Sequence, residues 1–151
     1  MALDDDIRVL SGVGLFRGLA EEHLRLLAFG ADTIRIDAGE TLYREGEPAL
    51  SAYVVLAGRI DLFRTVGSAR SRIGEARPGT ALGELALIAP TQRMTDAVAA
   101  ADTRLMSIDR KLFRRILEEF PGVARRLHQQ IAEEFQAMVR QLERIAPPVE
   151  E

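Results

Sequence analysis

The chain changes hydrophobic period twice, and that double change limits its architecture more than any other feature. Between about Ala31 and Ile108, short apolar or alternating runs (TIRI, TLY, AYVVLA, IDLFR) are separated by turn residues. A turn roughly every 8–12 residues is the signature of an all-β sandwich or roll. Asp37–Glu40, Glu45–Pro48, Gly58 with Arg59, and Arg77–Gly79 are the turn candidates, glycine supplying positive φ where needed. VGSARS, Val66 to Ser71, reads as an exposed hairpin loop, and AVAAA with TRLMSI closes the β region. The expectation is a roll of about eight strands.

On either side the period is helical. Leu24, Leu27 and Ala28 recur at helical spacing behind Glu21 and Glu22, which suit a positive helix N-terminus. Residues 1–30 are therefore expected to be helical, with Leu15, Phe16 and Leu19 pinning the glycine-punctuated SGVGLFRGL to the core. Beyond residue 108, Leu112, Phe113, Ile116, Leu117 and Phe120 share one face, and Asp109 is placed to cap it. Pro121 ends that helix and opens another, since proline is tolerated in a first turn. The second stripe is Val123, Leu127, Ile131, Phe135, Met138, Leu142 and Ile145. It predicts a helix over 121–144, about 36 Å long at 1.5 Å per residue. Its first half is expected to pack as core. Its second half approaches a heptad and predicts a homodimer contact.

Composition removes several classes of function. Twenty Lys and Arg against 23 Asp and Glu give a net charge of −3, without the basic surplus that matches a phosphate backbone, so no direct nucleic-acid contact is expected. The absence of cysteine excludes disulfides, thiolate metal sites and cysteine nucleophiles. The opening MALDDDIR is acidic where a signal peptide would be basic, and no run approaches the ~18 apolar residues of a membrane span. A cytoplasmic protein without a membrane partner is expected. His23 and His128 stand far apart on predicted helices, whereas a metal enzyme brings several ligands together. Ser11, Ser51, Ser68, Ser71 and Ser107 have no recognisable base, and no nucleophile elbow, HExxH or P-loop occurs. The chain reads as a binding module: not an enzyme, with no metal and no cofactor.

Chemistry concentrates in Ala81–Ala99, ALGELALIAPTQRMTDAVA. GELAL is a short helical turn inside a β region, and Arg93 returns nine positions after Glu84. A turn entered through glycine exposes backbone N–H groups to an anion. An arginine adds a fork of donors matched to phosphate oxygens. An ionised glutamate beside an anion is repulsive unless it accepts hydrogen bonds, for example from a sugar hydroxyl. Taken singly, Glu84 and Arg93 are ordinary surface charges. Together with Gly83 they suit a ligand carrying both a phosphate and a ribose hydroxyl.

This segment resembles the phosphate-binding cassette of cyclic-nucleotide-binding domains, the β-roll modules of protein kinase A regulatory subunits, gated channels and catabolite-activator-type regulators. That cassette runs approximately FGELAL, a short loop, then RAAT or RSAT. Here it reads Leu82-Gly83-Glu84-Leu85-Ala86-Leu87, IAPTQ, then Arg93-Met94-Thr95-Asp96. AGETLYREGEPALSAYVVLAGRIDLF is similar to the family's early strands and LFRGLAEEHLRLLA to its opening helices. The resemblance implies a mainly β fold, a double-stranded β-helix (jelly-roll-like β-roll) with N-terminal helices and a C-terminal helix pair. The expected organisation is one domain over 1–151, divided into helices 1–30, roll 31–108 and helices 109–145. It also implies cAMP or cGMP as ligand, with Glu84 on the ribose 2′-hydroxyl, Arg93 on the cyclic phosphate, and Gly83 and Leu85 giving backbone N–H groups. Met94 and Thr95 complete the implied site, and Gln129 or Gln130 would reach the base from the C-terminal helix.

Three positions depart from the pattern. Leu82 replaces a phenylalanine, which concerns packing. Met94 replaces a small residue and removes a hydroxyl that Thr95 could supply instead. Asp96 stands where serine or threonine is common, and is expected either to face the phosphate or to pair with Arg93. Like charges ~6 Å apart repel by ~3 kcal/mol at an effective dielectric of 20. The implied function is a regulatory sensor that binds a cyclic purine nucleotide, cAMP in the first instance, and signals through its C-terminal helices to a protein effector. Two alternatives stand beside it: a degenerate roll that binds proteins but no nucleotide, and the sensory half of a transcription regulator.

Overall fold

The computed structural model describes residues 2–13, 16, 19–87 and 89–145. Helices α1 (Ala2–Ser11) and α2 (Glu21–Gly30) lead into strands β1 (Asp32–Ile36), β2 (Thr41–Tyr43), β3 (Pro48–Ala49), β4 (Ser51–Ala57), β5 (Ile60–Val66), β6 (Ala69–Ala76) and β7 (Ala81–Leu82). A 3-10 turn, Glu84–Leu87, precedes β8 (Thr91–Gln92), β9 (Asp96–Ala99) and β10 (Thr103–Asp109), after which α3 (Arg110–Glu119) and α4 (Pro121–Ile145) close the chain. The strands form two four-stranded sheets, ordered β1-β10-β4-β7 and β2-β9-β5-β6, and a small β3-β8 ribbon. Every pairing described is antiparallel. This is the β-roll with helices at both ends that the two changes of period predict.

Strand β4 explains how the roll and the helices share one frame. Its alternation sends Ala52, Val54 and Leu56 to a helical layer and Tyr53 and Val55 into the roll. A strand covered on both faces reads as a continuous apolar run, here AYVVLA. The helical layer packs Leu10, Phe16, Leu27 and Phe113, all essentially inaccessible, on the outer face of β4 and β10. Burying each such side chain contributes about 1.5–3 kcal/mol before conformational entropy is subtracted. The Asp6 carboxylate accepts a 3.0 Å hydrogen bond from Arg104 and fixes α1 to β10. Asp109 caps α3, accepting the Leu112 N–H at 2.7 Å.

Two expectations need correction. The roll has ten strands among the described residues rather than about eight, because β3, β7 and β8 are two residues long and carry no alternation to read. Val66–Ser71 is not a loop: Val66 pairs with Ala69 and Arg64 with Ser71. The turn is only Gly67 and Ser68, with Gly67 at φ +64° supplying the left-handed conformation of a two-residue hairpin. His23 is buried against Phe120, ring centroids 4.1 Å apart, with Nδ1 accepting the Ala20 N–H, while His128 is exposed. Leu15 and the side chains of Val123, Leu127, Ile131, Met138, Leu142 and Ile145 lie outside the described residues. Phe135, in the same stripe, is 38% exposed.

Candidate functional site

The roll interior opens into a cleft of about 290 Å³, whose lining includes Tyr43, Leu62, Ala76, Gly83, Glu84, Leu85, Arg93, Met94 and Thr95. That volume is at the lower end of the ~300–1,000 Å³ of small-molecule sites. Leu62 and Ala76 come from β5 and β6 and make one wall apolar. The opposite wall is the cassette. Pairing of Tyr53 with Leu82 brings the chain out of β7 beside the start of β4, and Gly83 turns it there with φ +73°. The 3-10 turn follows, burying Ala86 and packing Leu87 into the helical layer, while Glu84 and Leu85 line the cleft and Leu85 also packs against that layer.

Arg93 is the centre of this arrangement. It is only 7% exposed, unusual for a guanidinium. One arm, Nη2, donates to the Ser51 carbonyl at 2.9 Å. The plane packs over the Tyr43 ring at 4.4 Å and the Tyr53 ring at 5.3 Å, and these tyrosines are themselves stacked. The other arm, Nη1, is buried without a hydrogen-bond partner. It lies over Gly83, and a Cβ on that residue would collide with it. Leaving a buried charged donor unmatched is costly, so a donor held this way is suited to an anion entering the cleft.

The tyrosines were not legible as site residues. They are the chain's only two, and both meet Arg93. The available signal was the inward parity of Tyr53 in an otherwise aliphatic strand. Burial raises the Tyr43 phenol above its ordinary 10.0, opposed by the nearby Arg93 charge and by a hydrogen bond with Thr95. Thr95 lines the cleft, and its hydrogen bond is to the Tyr43 phenol. Met94 lines the cleft but is 42% exposed.

Asp96 does not do what the sequence suggests. It pairs with Phe63 across β9 and β5, one step from the Leu62–Ala97 pair, and so stands on the outer face of its sheet. Its carboxylate neither pairs with Arg93 nor lines the cleft. One oxygen accepts from Arg70 at 3.1 and 3.2 Å, and the other accepts the Glu45 N–H at 2.8 Å. Gln129 and Gln130 are on α4 and are not among the cleft lining; Gln129 faces Glu133.

A family model, the cyclic nucleotide-binding domain, matches residues 33–120. The chain belongs to that family. Among solved structures, a cyclic nucleotide-binding-like protein of Brucella abortus is 50% identical, with a TM-score of 0.71 over 76% of this chain and 99% of that one. The catabolite activator protein of Thermus thermophilus is 27% identical, with a TM-score of 0.75 over 87% of this chain and 62% of the other. Among curated proteins, the cyclic AMP receptor protein of the same organism is 29% identical over 116 residues, 76% of this chain and 54% of that protein. Lysophospholipase nte1 of Aspergillus fumigatus is 30% identical over 96 residues, 63% of this chain but 6% of the enzyme. The chain thus spans about half of one relative and a small fraction of the other, and the lysophospholipase likeness is confined to the nucleotide-binding domain.

A cyclic nucleotide-binding domain is a regulatory module, and this one is related to receptor-type regulators. Its cassette is joined directly to the C-terminal helices. Arg110, the first residue of α3, donates to the carbonyls of Ala86 at 2.7 Å and Ala89 at 3.1 Å. The 3-10 turn also contacts α3 and α4. Among the described residues no helix is long and apolar enough to cross a membrane, and no group of three His, Asp or Glu could hold a metal ion.

Proposed function

We propose that this domain is a non-enzymatic, cytoplasmic sensor that binds a cyclic purine nucleotide, cAMP in the first instance. The observation that carries the reading is the buried Arg93 whose Nη1 is unmatched over Gly83, inside the cleft. In this reading Arg93 meets the cyclic phosphate and Glu84 the ribose 2′-hydroxyl. The backbone N–H groups of Gly83 and Leu85 complete the cradle, with Met94 and Thr95 at its edge. Displacement of Asp96 to the outer face supports a working site, because its charge is matched by Arg70.

The signal leaves through Arg110. A ligand that draws in the cassette loads the Ala86 and Ala89 carbonyls and hence α3 and α4, and it shifts those helices only by its differential affinity for their two arrangements. The receiver is a protein effector, a second copy through the α4 stripe, or both. Similarity to about half of a receptor-type regulator makes the sensory part of a transcription regulator the second reading. Calorimetry against cAMP, cGMP and cyclic dinucleotides tests the ligand: saturable binding of a cyclic purine mononucleotide is expected. Heat from none of them would leave a roll that binds only proteins.

A further inference from the structure

The residue that departs most from the expected cassette has an assignment on the far side of the sheet. Arg44–Glu47 is a tight turn between β2 and β3, with Gly46 at φ +89°. Each of its N–H groups has a partner. Arg44 N–H donates to the Glu47 carboxylate, Glu45 N–H to Asp96 at 2.8 Å, Gly46 N–H to the Arg93 carbonyl at 2.8 Å, and Glu47 N–H to the Arg44 carbonyl at 3.1 Å. The Arg93 N–H in turn donates to the Glu47 carbonyl at 2.8 Å. The segment Arg93–Asp96 therefore grips one turn at both ends, by backbone at Arg93 and by side chain at Asp96.

Beyond the turn the carboxylate is held from the β5–β6 hairpin. Arg70 reaches it with Nε and Nη2 while its guanidinium lies over the Phe63 ring at 4.3 Å. A carboxylate offers two oxygens, one for the Glu45 N–H and one for Arg70, where a hydroxyl has a single oxygen on a shorter side chain.

We propose that Asp96 is a positioning residue for Arg93: it fixes the Arg44–Glu47 turn whose backbone sets where the buried guanidinium stands over Gly83. The inference rests on the cleft being a nucleotide site. It reverses the expectation that an acid at this position weakens phosphate binding.

The test is calorimetry of the full chain with cAMP, and with adenosine by competition, for wild type, Asp96→Ala and Asp96→Asn. Loss of a hydrogen bond to a charged group typically costs enough for about a ten- to hundredfold change. Asp96→Ala is expected to weaken cAMP binding on that scale and to leave adenosine, which has no phosphate for Arg93, unchanged. Asp96→Asn keeps an acceptor for the Glu45 N–H and is expected to recover most of the loss. Equal or tighter cAMP binding by Asp96→Ala overturns the proposal, as does an equal loss for adenosine, which would mean general loosening. If wild type binds no cyclic nucleotide, the sensor reading fails by itself, and amide exchange in the ligand-free protein decides the positioning role. Gly46 and Arg93 amides exchanging at least about tenfold faster in Asp96→Ala support it; unchanged rates overturn it.

Discussion

At the scale of single residues, the site is a buried cation packed against two phenols, with one of its donors lacking an acceptor. Burial has a consequence for pH. Burial raises the Tyr43 phenol above 10.0 despite the opposing Arg93 charge. The folded state therefore holds that proton more tightly than the unfolded chain does. The contribution is intact below pH 10 and is lost as pH rises through the folded value. Tyr43→Phe should flatten that part of the alkaline stability loss, read by denaturant melts taken on either side of pH 10. An anion resting on Arg93 would offset the charge that pulls the phenol down. Saturating cAMP should consequently move the tyrosinate absorbance of Tyr43 to still higher pH, and no movement would place the ligand away from Arg93. Much of this chemistry was readable in advance. Gly83, Glu84 and Arg93 could be grouped from the sequence, and all three line the cleft. The tyrosines and the true partner of Asp96 were hidden, because both depend on which face of a strand a residue occupies after pairing across more than 25 positions of chain.

At the scale of elements, the period changes carried most of the information. α3 begins at its capping Asp109 and α4 at Pro121 because cap chemistry and the missing proline N–H act locally. The two-residue strands β3, β7 and β8 escaped notice because only tertiary pairing defines them. The Val66–Ser71 segment was misread because polar residues on an exposed hairpin resemble a loop, yet the register through Gly67 and Ser68 is regular. Glycines at the turns between elements differ in how much room surrounds them. Gly58 joins β4 to β5 at φ +92°, and a Cβ there would overlap the Asp102 carbonyl and crowd Thr103. Thr103, itself buried, bridges to the Arg59 carbonyl and accepts from the Arg59 N–H. Gly58→Ala combines left-handed strain with a backbone clash and is expected to destabilise the domain by about 2–4 kcal/mol. Thermal melting checks this against Gly39→Ala, at φ +91° with open space around it, which should cost only the strain, about 1–2 kcal/mol.

At the scale of the whole molecule, two cores meet at β4. One lies inside the roll beside the cleft, and the other lies under α1, α2 and α3. A ligand in the first is one strand away from the helices over the second, and Arg110 spans the remaining step. The stripe Phe135, Met138, Leu142 and Ile145, read from the sequence, would carry the output to a second copy. Met138→Glu places a charge in that seam at a cost of several kcal/mol if unpaired, so sedimentation should show a dimer for wild type and a monomer for the variant. A wild type that is monomeric at tens of micromolar would remove the dimer from the account. The central claim is that Arg93 is the anion-binding group of a cyclic-nucleotide site, and calorimetry with cAMP on wild type, Arg93→Ala and Arg93→Lys tests it most directly. Truncating one partner of a buried charge pair costs ~2–5 kcal/mol, or roughly 30- to 5,000-fold in affinity. The account predicts that wild type binds cAMP, that Arg93→Ala binds none measurably, and that Arg93→Lys recovers little, because a point charge does not replace the fork. Wild type and Arg93→Ala binding cAMP equally well would contradict it.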